Sequence, residues 1–167
     1  MILRETMSIV HKWLDRVFGH EGGYVNNPRD PGGETKWGIS KKSYPWLDIK
    51  NLKKEEAANI YIQDFLAPIK YERYHDGIGY QLFDFAVNSG PDRAIKKLQE
   101  AIGVTADGIV GKNTIWKLNS MSESDLIMLL IAYRIRFMVN LKNWDDAGRG
   151  WMRRMANNLI YGVEDSD

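Results

Sequence analysis

The chain has 167 residues, of which 44% are hydrophobic and 27% charged, and its formal net charge is +1. This composition is that of a folded globular protein and excludes a disordered one, while the near-neutral charge lacks the basic excess that a nucleic-acid partner usually requires. Cysteine is absent, which excludes disulfide bonds and thiolate zinc sites.

The first predicted element is a helix that Ser8 caps and that runs to about Gly19, because apolar residues recur there at helical spacing. Residues 1–18 also carry charged side chains and lack the apolar core of a signal peptide, so we expect a protein made in the cytoplasm. Glycine and proline interrupt residues 22–40 and predict a small β-hairpin lobe, with strand pieces at residues 24–25 and 36–39.

Helices are predicted over the rest of the chain, because apolar residues recur every three or four positions between proline, glycine or capping residues. The first of them begins at Asn51 or Leu52 and ends before Pro68, and the second covers residues 80–88. The third runs from Pro91 to Gly103, and the fourth covers residues 113–118. The fifth and longest starts at Ser122 with a capping box, and the sixth covers residues 148–161 with Gly162 as its C-cap. The buried face expected for the Ser122 helix consists of Leu126, Leu129, Leu130, Tyr133, Phe137, Met138 and Leu141.

Together these elements predict a mainly α fold, with a helical bundle core and a small Gly-rich β-hairpin lobe near the N-terminus. No internal repeat is visible, and no apolar run is long enough to span a bilayer. The three histidines lack metal-binding spacing, so we expect neither a metal nor a cofactor. The expected division is an N-terminal region over residues 1–90 and a helical region over residues 91–167 packed on it.

The residues with the clearest chemical potential follow the first helix. Glu21 stands at its end, and Asp30 and Thr35 follow within the Gly-rich segment. Cleavage of a glycosidic bond needs an acid that protonates the leaving oxygen, and a second group that stabilises the oxocarbenium-like transition state or holds the attacking water. Such an acid works near neutral pH only if its pKa is raised, for example by apolar surroundings. From spacing alone, a solvated helix end and an ordinary Asp-Pro-Gly turn explain these residues better than catalysis does, because such turn-rich loops are common.

The run EGGYVNNPRDPGGETKWGIS at residues 21–40 closely resembles the signature of glycoside hydrolase family 108, the N-acetylmuramidases found as phage endolysins within the lysozyme-like superfamily. Residues 61–68 and 83–91 resemble further blocks of the family. Residues 107–114 resemble the DGxxGxxT element of peptidoglycan-binding modules. The resemblance covers about residues 8–162.

This resemblance implies a lysozyme-like fold and an endolysin that hydrolyses the β-1,4 bond between N-acetylmuramic acid and N-acetylglucosamine during host lysis. The implied route is accumulation in the host cytoplasm, release by a holin-type pore and action on periplasmic peptidoglycan. Residues 1–90 then form the catalytic region, and residues 91–167 form a peptidoglycan-binding-like region.

By position, the resemblance makes Glu21 the general acid. Asp30 and Thr35 stand where related phage lysozymes place the second carboxylate and the water-positioning hydroxyl, although one residue fewer separates the two here. Asp30 is therefore either the base or a residue that only shapes the turn. Glu34 is a weaker substitute for the second carboxylate.

Five further side chains are candidates for contact with the sugar rings. The aromatic ones either stack on sugars or pack in the core, and the asparagine either binds an N-acetyl group or caps backbone carbonyls at the end of a helix. These residues are Tyr24, Trp37, Tyr44, Trp46 and Asn88. The element at residues 107–114 is likewise either a structural turn or the border of a peptidoglycan site.

Several alternatives stay open at this point. A lytic transglycosylase uses a single Glu and releases an anhydro product, and a wall-binding or secretion-assisting protein needs no catalysis. A helical nucleic-acid binder is suggested by arginines that we expect instead to form a solvated face, namely Arg134, Arg136, Arg149, Arg153 and Arg154. The basic C-terminal helix either docks its apolar face on the core or makes a weak membrane contact. We expect a monomer whose partner is the peptidoglycan glycan strand, without nucleic acid.

Overall fold

The computed structural model describes residues 2–20, 23–26 and 33–166. The chain divides into two compact units, Met1–Asp64 and Phe65–Asp167. The first contains α1 (Ile2–His20), β1 (Val25–Asn26), β2 (Glu34–Lys36), β3 (Ile39–Ser40) and α2 (Lys54–Tyr61). A π-helical segment (Ile62–Leu66) follows, and the second unit then contains α3 (Ala67–Ile69), a 3-10 turn (Tyr71–Arg73), α4 (Asp76–Ser89), α5 (Pro91–Ile102), α6 (Lys112–Asn119), α7 (Glu123–Met138) and α8 (Trp144–Asp165). This mainly helical fold with a small antiparallel sheet confirms the predicted fold class.

Helix α1 anchors the first unit through one apolar face. Its side chains Val10, Trp13, Leu14, Val17 and Phe18 are buried, at the helical spacing that the sequence predicts. The predicted start at Ser8 is wrong, because α1 already begins at Ile2. The residues before Ser8 include leucine, arginine, glutamate and methionine, which favour helix strongly enough to extend it without a serine cap.

The small sheet is antiparallel, with β2 between β1 and β3. The residues Trp37 and Gly38 connect β2 to β3, with φ angles of 53° and 74°. Two consecutive positive φ angles characterise the two-residue type I′ turn, whose twist suits a tight hairpin. The prediction of one strand through residues 36–39 is therefore wrong. Lys36 ends β2, Trp37 and Gly38 form the turn, and Ile39 begins β3. The first strand also begins at Val25 rather than at residue 24.

Helix α4 is the centre of the second unit. Its residues from Gly77 to Ala86 are all buried, and α4 packs against α5, α7 and α8. It begins at Asp76, earlier than the predicted start at residue 80. Because α4 and α5 pack against each other across Gly90, both sides of that residue belong to one compact unit; the functional division into residues 1–90 and 91–167 stays a prediction.

A buried ion cluster joins three helices of this unit. Asp84 on α4 is 0% exposed, and Arg134 on α7 donates a hydrogen bond of 2.6 Å from Nη1 to its Oδ2. Arg154 on α8 donates to Oδ1 from Nε at 2.9 Å and from Nη2 at 2.7 Å, and Asn158 Nδ2 donates to Oδ2 at 2.8 Å. The expectation of a solvated arginine face is thus wrong for Arg134, which is buried, and for Arg154, which is largely buried.

The cluster also explains why the buried face of α7 differs from the predicted one. The buried residues of α7 are Leu126, Ile127, Leu130, Ile131, Arg134 and Met138, so Ile127 and Ile131 replace part of the predicted face. A sequence pattern that counts arginine as solvated rotates the expected face away from Arg134. The predicted capping box is present in half: the Ser122 side chain accepts a hydrogen bond from the Asp125 backbone N–H, but the Asp125 side chain does not return one to the Ser122 N–H.

Helix α8 has 22 residues and is longer than α7, which has 16, so α7 is not the longest helix. It begins at Trp144 rather than at residue 148. Gly162 is not its C-cap but an interior residue, where a Cβ would come within 2.9 Å of Ile127 on α7. Glycine there permits close packing of the two helices instead of ending one of them.

The helix predicted to end before Pro68 also differs in detail. It starts at Lys54, widens to π geometry after Tyr61 and is followed by α3, in which Pro68 occupies the first turn. Proline is tolerated at that position because the first-turn N–H groups have no partner within the helix.

Among the described residues, no helix combines the length and apolar character that crossing a membrane requires.

Candidate active site

Two aromatic contacts fix the end of α1, the helix that leads to the predicted acid. The ring of Phe18 meets those of Trp37 and Tyr61 edge-on, with centroids 5.7 Å and 5.5 Å apart. The hydroxyl of Tyr61 donates a hydrogen bond of 3.0 Å to the Trp37 carbonyl, which joins α2 to the turn between β2 and β3. The last turn of α1 is therefore held by packed neighbours, as the support of a catalytic group requires.

The two predicted catalytic carboxylates, Glu21 and Asp30, lie outside the described residues. In the chain, Glu21 directly follows α1, and Asp30 stands between β1 and β2. Their roles as acid and as second carboxylate stay predictions, and the described part of the site consists of the segments on either side of them.

Thr35, the predicted water-positioning residue, lies on the middle strand of the sheet. It pairs with Val25 on β1 and Ser40 on β3, so its backbone is fixed from both sides. Its half-buried hydroxyl donates to the Gly33 carbonyl over a long 3.4 Å. A bond of that length is weak, and the hydroxyl can therefore exchange it for a water molecule at small cost.

Tyr24 and Glu34 form a hydrogen-bonded pair at the edge of the sheet. The phenol donates to Glu34 Oε1 over 2.8 Å. This hydrogen bond to a carboxylate raises the pKa of Tyr24 above its ordinary value, because the phenolate would lose it. Glu34 thus already serves as an acceptor for Tyr24, whose exposed ring is still available for a sugar.

Trp37 is half-buried, packed against Phe18 in the turn between β2 and β3. Its indole Nε1 is buried and has no hydrogen-bond partner among the described residues. This placement matches the core-packing alternative for Trp37 better than an open stacking face. Its contact with sugar stays a prediction.

Tyr44 and Trp46 stand on the loop between β3 and α2, with their rings 5.7 Å apart at 76°. Trp46 is 75% exposed. The Tyr44 hydroxyl donates a 2.7 Å hydrogen bond to Asp64 Oδ2 in the π-helical segment. Of the four predicted aromatic residues, Trp46 is the most open to a ligand.

Asn88, the fifth predicted sugar contact, lies in the last turn of α4 in the second unit. It is exposed, and its Nδ2 donates a 2.9 Å hydrogen bond to the carbonyl of Asp84. The capping alternative is therefore present in the structure. Contact of Asn88 with an N-acetyl group stays a prediction.

A cleft of about 450 Å³ lies in the first unit between the loop at residues 47–52 and α2, and no predicted site residue lines it. Its carboxylates cap local backbone groups: Glu56 accepts from the Lys53 N–H, and Asp48 accepts from Asn51. The bonds from Asn51 hold the pKa of Asp48 below its usual value. Within residues 2–20, 23–26 and 33–166, no three His, Cys, Asp or Glu side chains lie close enough together to hold a metal ion.

In the second unit, the turn at residues 107–110 is built around the buried side chain of Gln99. Its Nε2 donates to Asp107 Oδ1 at 2.8 Å and to the Ile109 carbonyl at 3.0 Å, and its Oε1 accepts from the Gly108 N–H at 2.8 Å. These bonds satisfy the hydrogen-bonding groups of the buried Gln99 amide. The DGxxGxxT element therefore has a structural role.

The same element lines a groove of about 530 Å³, which continues along α6. Trp116 and Ile109 border this groove and are 72% and 64% exposed. An open groove with a large exposed aromatic residue is compatible with ligand binding as well. The structural and the binding interpretations therefore do not exclude each other.

Two residues that matter in these arrangements were not singled out as site residues from the sequence. Asp64 is a polar residue within a predicted helix, and Gln99 is a polar residue on an amphipathic one. Neither carries a local signal, because their partners Tyr44 and Asp107 are brought to them by folding.

Comparisons with known proteins agree with this fold and with the motif at residues 21–40. The sequence profile of the family described as Glycosyl hydrolase 108 matches residues 14–90. Among solved structures, the chain is similar to SagA of Brucella abortus, with 30% sequence identity and a TM-score of 0.87 over 96% of this chain and 97% of that chain. No curated protein matches the chain. The chain therefore belongs to glycosyl hydrolase family 108, a lysozyme-like N-acetylmuramidase family, and is a glycoside hydrolase that acts on peptidoglycan.

Proposed function

We propose that this protein is an endolysin that hydrolyses the β-1,4 bond between N-acetylmuramic acid and N-acetylglucosamine, with Glu21 as its general acid. The observation that carries the proposal is the family match over residues 14–90, which includes Glu21, Asp30 and Thr35. The fixed end of α1 and the paired strand that bears Thr35 add support, because they frame these positions with ordered backbone.

In this proposal, Glu21 gives its proton to the glycosidic oxygen as the bond to the leaving sugar breaks. Asp30 stabilises the oxocarbenium-like centre or accepts a proton from the attacking water, and Thr35 orients that water. Attack by water leaves a reducing end on the muramic acid, whereas attack by the sugar's own 6-hydroxyl leaves a 1,6-anhydro ring.

The products of digestion test this function directly. Purified peptidoglycan is incubated with the protein, and the released fragments are identified by mass spectrometry. We expect fragments that end in reducing N-acetylmuramic acid. Anhydro ends would identify a lytic transglycosylase instead, and fragments with reducing N-acetylglucosamine ends would identify cleavage of the other glycosidic bond.

The biological setting is proposed from the resemblance to phage endolysins. It comprises accumulation in the host cytoplasm, release by a holin-type pore and host lysis. The monomeric state and a weak membrane contact through α8 also stay predictions. Helix α8 exposes the apolar side chains of Leu159, Ile160 and Val163, while Met155 and Asn158 face the core.

We also propose that the groove of the second unit holds the enzyme on the cell wall. The supporting observation is Trp116, whose large indole is mostly exposed at the rim of a groove. Burying such an apolar surface against a polymer lowers the free energy of the complex by about 1–2 kcal/mol. In this proposal, the second unit increases residence on insoluble wall without taking part in bond cleavage.

Retention on insoluble peptidoglycan tests the groove. We expect Trp116→Ala to weaken co-sedimentation with peptidoglycan about tenfold, which corresponds to roughly 1.4 kcal/mol. Hydrolysis of short soluble strands should stay at the wild-type rate. The control is Met128→Ala, which removes an exposed apolar side chain of the second unit from outside the groove and should leave retention unchanged. Equal retention of Trp116→Ala and wild type would contradict the wall-binding role.

A further inference from the structure

We infer that Asp64 positions an aromatic platform, formed by Tyr44 and Trp46, on which a sugar ring of the glycan strand stacks. The inference rests on the proposed function, because it names a subsite for the same substrate. The platform belongs to the loop between β3 and α2, and Asp64 belongs to the π-helical segment after α2. All three residues lie in the first unit, as does the motif at residues 21–40.

The exposure of Trp46 is the first argument for a ligand. Tryptophan gains more free energy from burial than almost any other residue, yet this one is 75% exposed. Its contact with Tyr44 is edge-to-face, with centroids 5.7 Å apart and planes at 76°. This arrangement leaves at least one indole face uncovered by Tyr44. An apolar sugar face would cover it.

The order of the surrounding loop is the second argument. The Tyr44 N–H donates to the Ser40 carbonyl at 3.0 Å, and the Leu47 N–H donates to the Tyr44 carbonyl at 3.1 Å. Lys41 Nζ donates to the Leu47 carbonyl at 2.6 Å, and Pro45 fixes the backbone angle directly before Trp46. A platform that is ordered before binding loses little conformational entropy when a ligand arrives.

Asp64 supplies the third argument, because it fixes the ring of Tyr44. The 2.7 Å hydrogen bond from the Tyr44 hydroxyl to Asp64 Oδ2 ties the loop to the helical segment that follows α2. Burial, followed by this bond and the carboxylate charge, raises the pKa of Tyr44 well above its ordinary value, so the phenol keeps its proton and remains a donor. Without the acceptor, Tyr44 is free to turn, and Trp46 loses the neighbour that orients it.

The chemistry of the platform selects a sugar over a purely apolar ligand. A pyranose ring presents C–H groups on its faces and hydroxyls at its edge. The platform presents an indole face with the phenol of Tyr44 beside it, in the same order. The phenol oxygen donates its own proton to Asp64 and can still accept a hydrogen bond from a sugar hydroxyl. The platform therefore matches both the apolar face and the polar edge of a sugar ring.

Steady-state hydrolysis of soluble glycan strands freed of stem peptides tests the inference. We expect Trp46→Ala to raise KM about tenfold, which is about 1.4 kcal/mol of binding, with kcat within twofold of wild type. Asp64→Ala should raise KM about threefold to fivefold with the same kcat. Asp64→Asn should restore KM nearly to wild type, because the amide oxygen accepts the same hydrogen bond from Tyr44.

Three outcomes would overturn the inference. An unchanged KM for Trp46→Ala would remove the stacking role. Equal defects in Asp64→Asn and Asp64→Ala would show that the carboxylate itself contacts the sugar, so that Asp64 is not a positioning residue. A change in sedimentation mass of Trp46→Ala at unchanged KM would make the platform a contact between copies of the chain. Met128→Ala is the control, because it removes an exposed apolar side chain of the second unit that belongs to neither the platform nor the groove, and it should leave KM on these strands unchanged.

A failure of the proposed function remains distinguishable from a failure of this inference. If the wild-type protein does not hydrolyse the strands, binding of the same strands is measured by calorimetry instead. Weaker binding by Trp46→Ala would then support the platform without catalysis. Equal binding by the variant and wild type would overturn it.

Discussion

Replacement of Glu21 by glutamine is expected to lower kcat on purified peptidoglycan by about 10²–10⁴-fold, the range that a general acid usually contributes. Glutamine has nearly the shape of glutamate but cannot give a proton to the leaving oxygen. Because shape is preserved, binding of glycan strands should be nearly unchanged, so the loss appears in kcat rather than in KM. The reducing muramic acid ends should disappear from the mass spectrum of the products.

The matched control for this experiment is Glu34→Gln. Glu34 is a nearby carboxylate in sequence, and its structural partner is the hydroxyl of Tyr24. Glutamine can still accept that hydrogen bond, so Glu34→Gln should retain activity within a few fold of wild type. Full activity in Glu21→Gln together with a large loss in Glu34→Gln would transfer the acid role to Glu34 and refute the assignment made from the family motif.

The second large effect is expected in stability, from Asp84→Asn. The substitution leaves two arginines near one another inside the second unit without the carboxylate that neutralises them. Removing one partner of a buried ion pair costs about 3–5 kcal/mol, a large part of the total stability of a domain of this size. Urea denaturation at neutral pH should therefore show a much lower midpoint for Asp84→Asn.

The control for Asp84→Asn is Asp92→Asn, which breaks an exposed pair with Lys96. Surface pairs of this kind contribute about 0–1 kcal/mol, so its midpoint should remain close to that of wild type. A midpoint for Asp84→Asn within the error of wild type would show that the cluster of Asp84, Arg134 and Arg154 does not stabilise the fold.

The cluster also predicts how stability depends on pH. Burial alone raises the pKa of Asp84, but the charges of Arg134 and Arg154 outweigh it and hold the pKa well below its usual range. The unfolded chain binds the proton at a pKa of about 4. The stabilisation is thus complete above that pH and is lost as pH falls toward the lower folded pKa. The midpoint difference between wild type and Asp84→Asn should narrow only below about pH 4.

Local signals in the sequence were sufficient for much of the architecture. The apolar spacing of α1 identified its buried face, Ser122 identified the N-cap of α7, and the motif at residues 21–40 identified the family. The apolar spacing and the N-cap depend on residues only a few positions apart. The motif is a continuous run of residues that is typical of this family. Glu21 and Asp30 lie outside the described residues, so their assignment still comes from the sequence.

The misplaced features depend on residues far apart in the chain. Trp37 adopts a positive φ, which a non-glycine residue reaches only at a conformational cost, and the contacts with Phe18 and Tyr61 accompany it. In the sequence Gly162 resembles the C-cap of a helix, but in the structure Ile127 of another helix packs against it. In both cases a local propensity is overridden by a partner that the local sequence does not contain.

By itself, the sequence determined the helical class, the Gly-rich lobe and membership of a peptidoglycan hydrolase family, because periodicity and a dense motif are local properties. Only the tertiary structure decided that Arg134 and Arg154 turn inward to Asp84, and that Asp64 meets Tyr44 beside an exposed Trp46. A charged residue is expected to face water unless an opposite charge offsets the cost of burial. Such a partner is supplied by another helix, and its position exists only once the chain has folded.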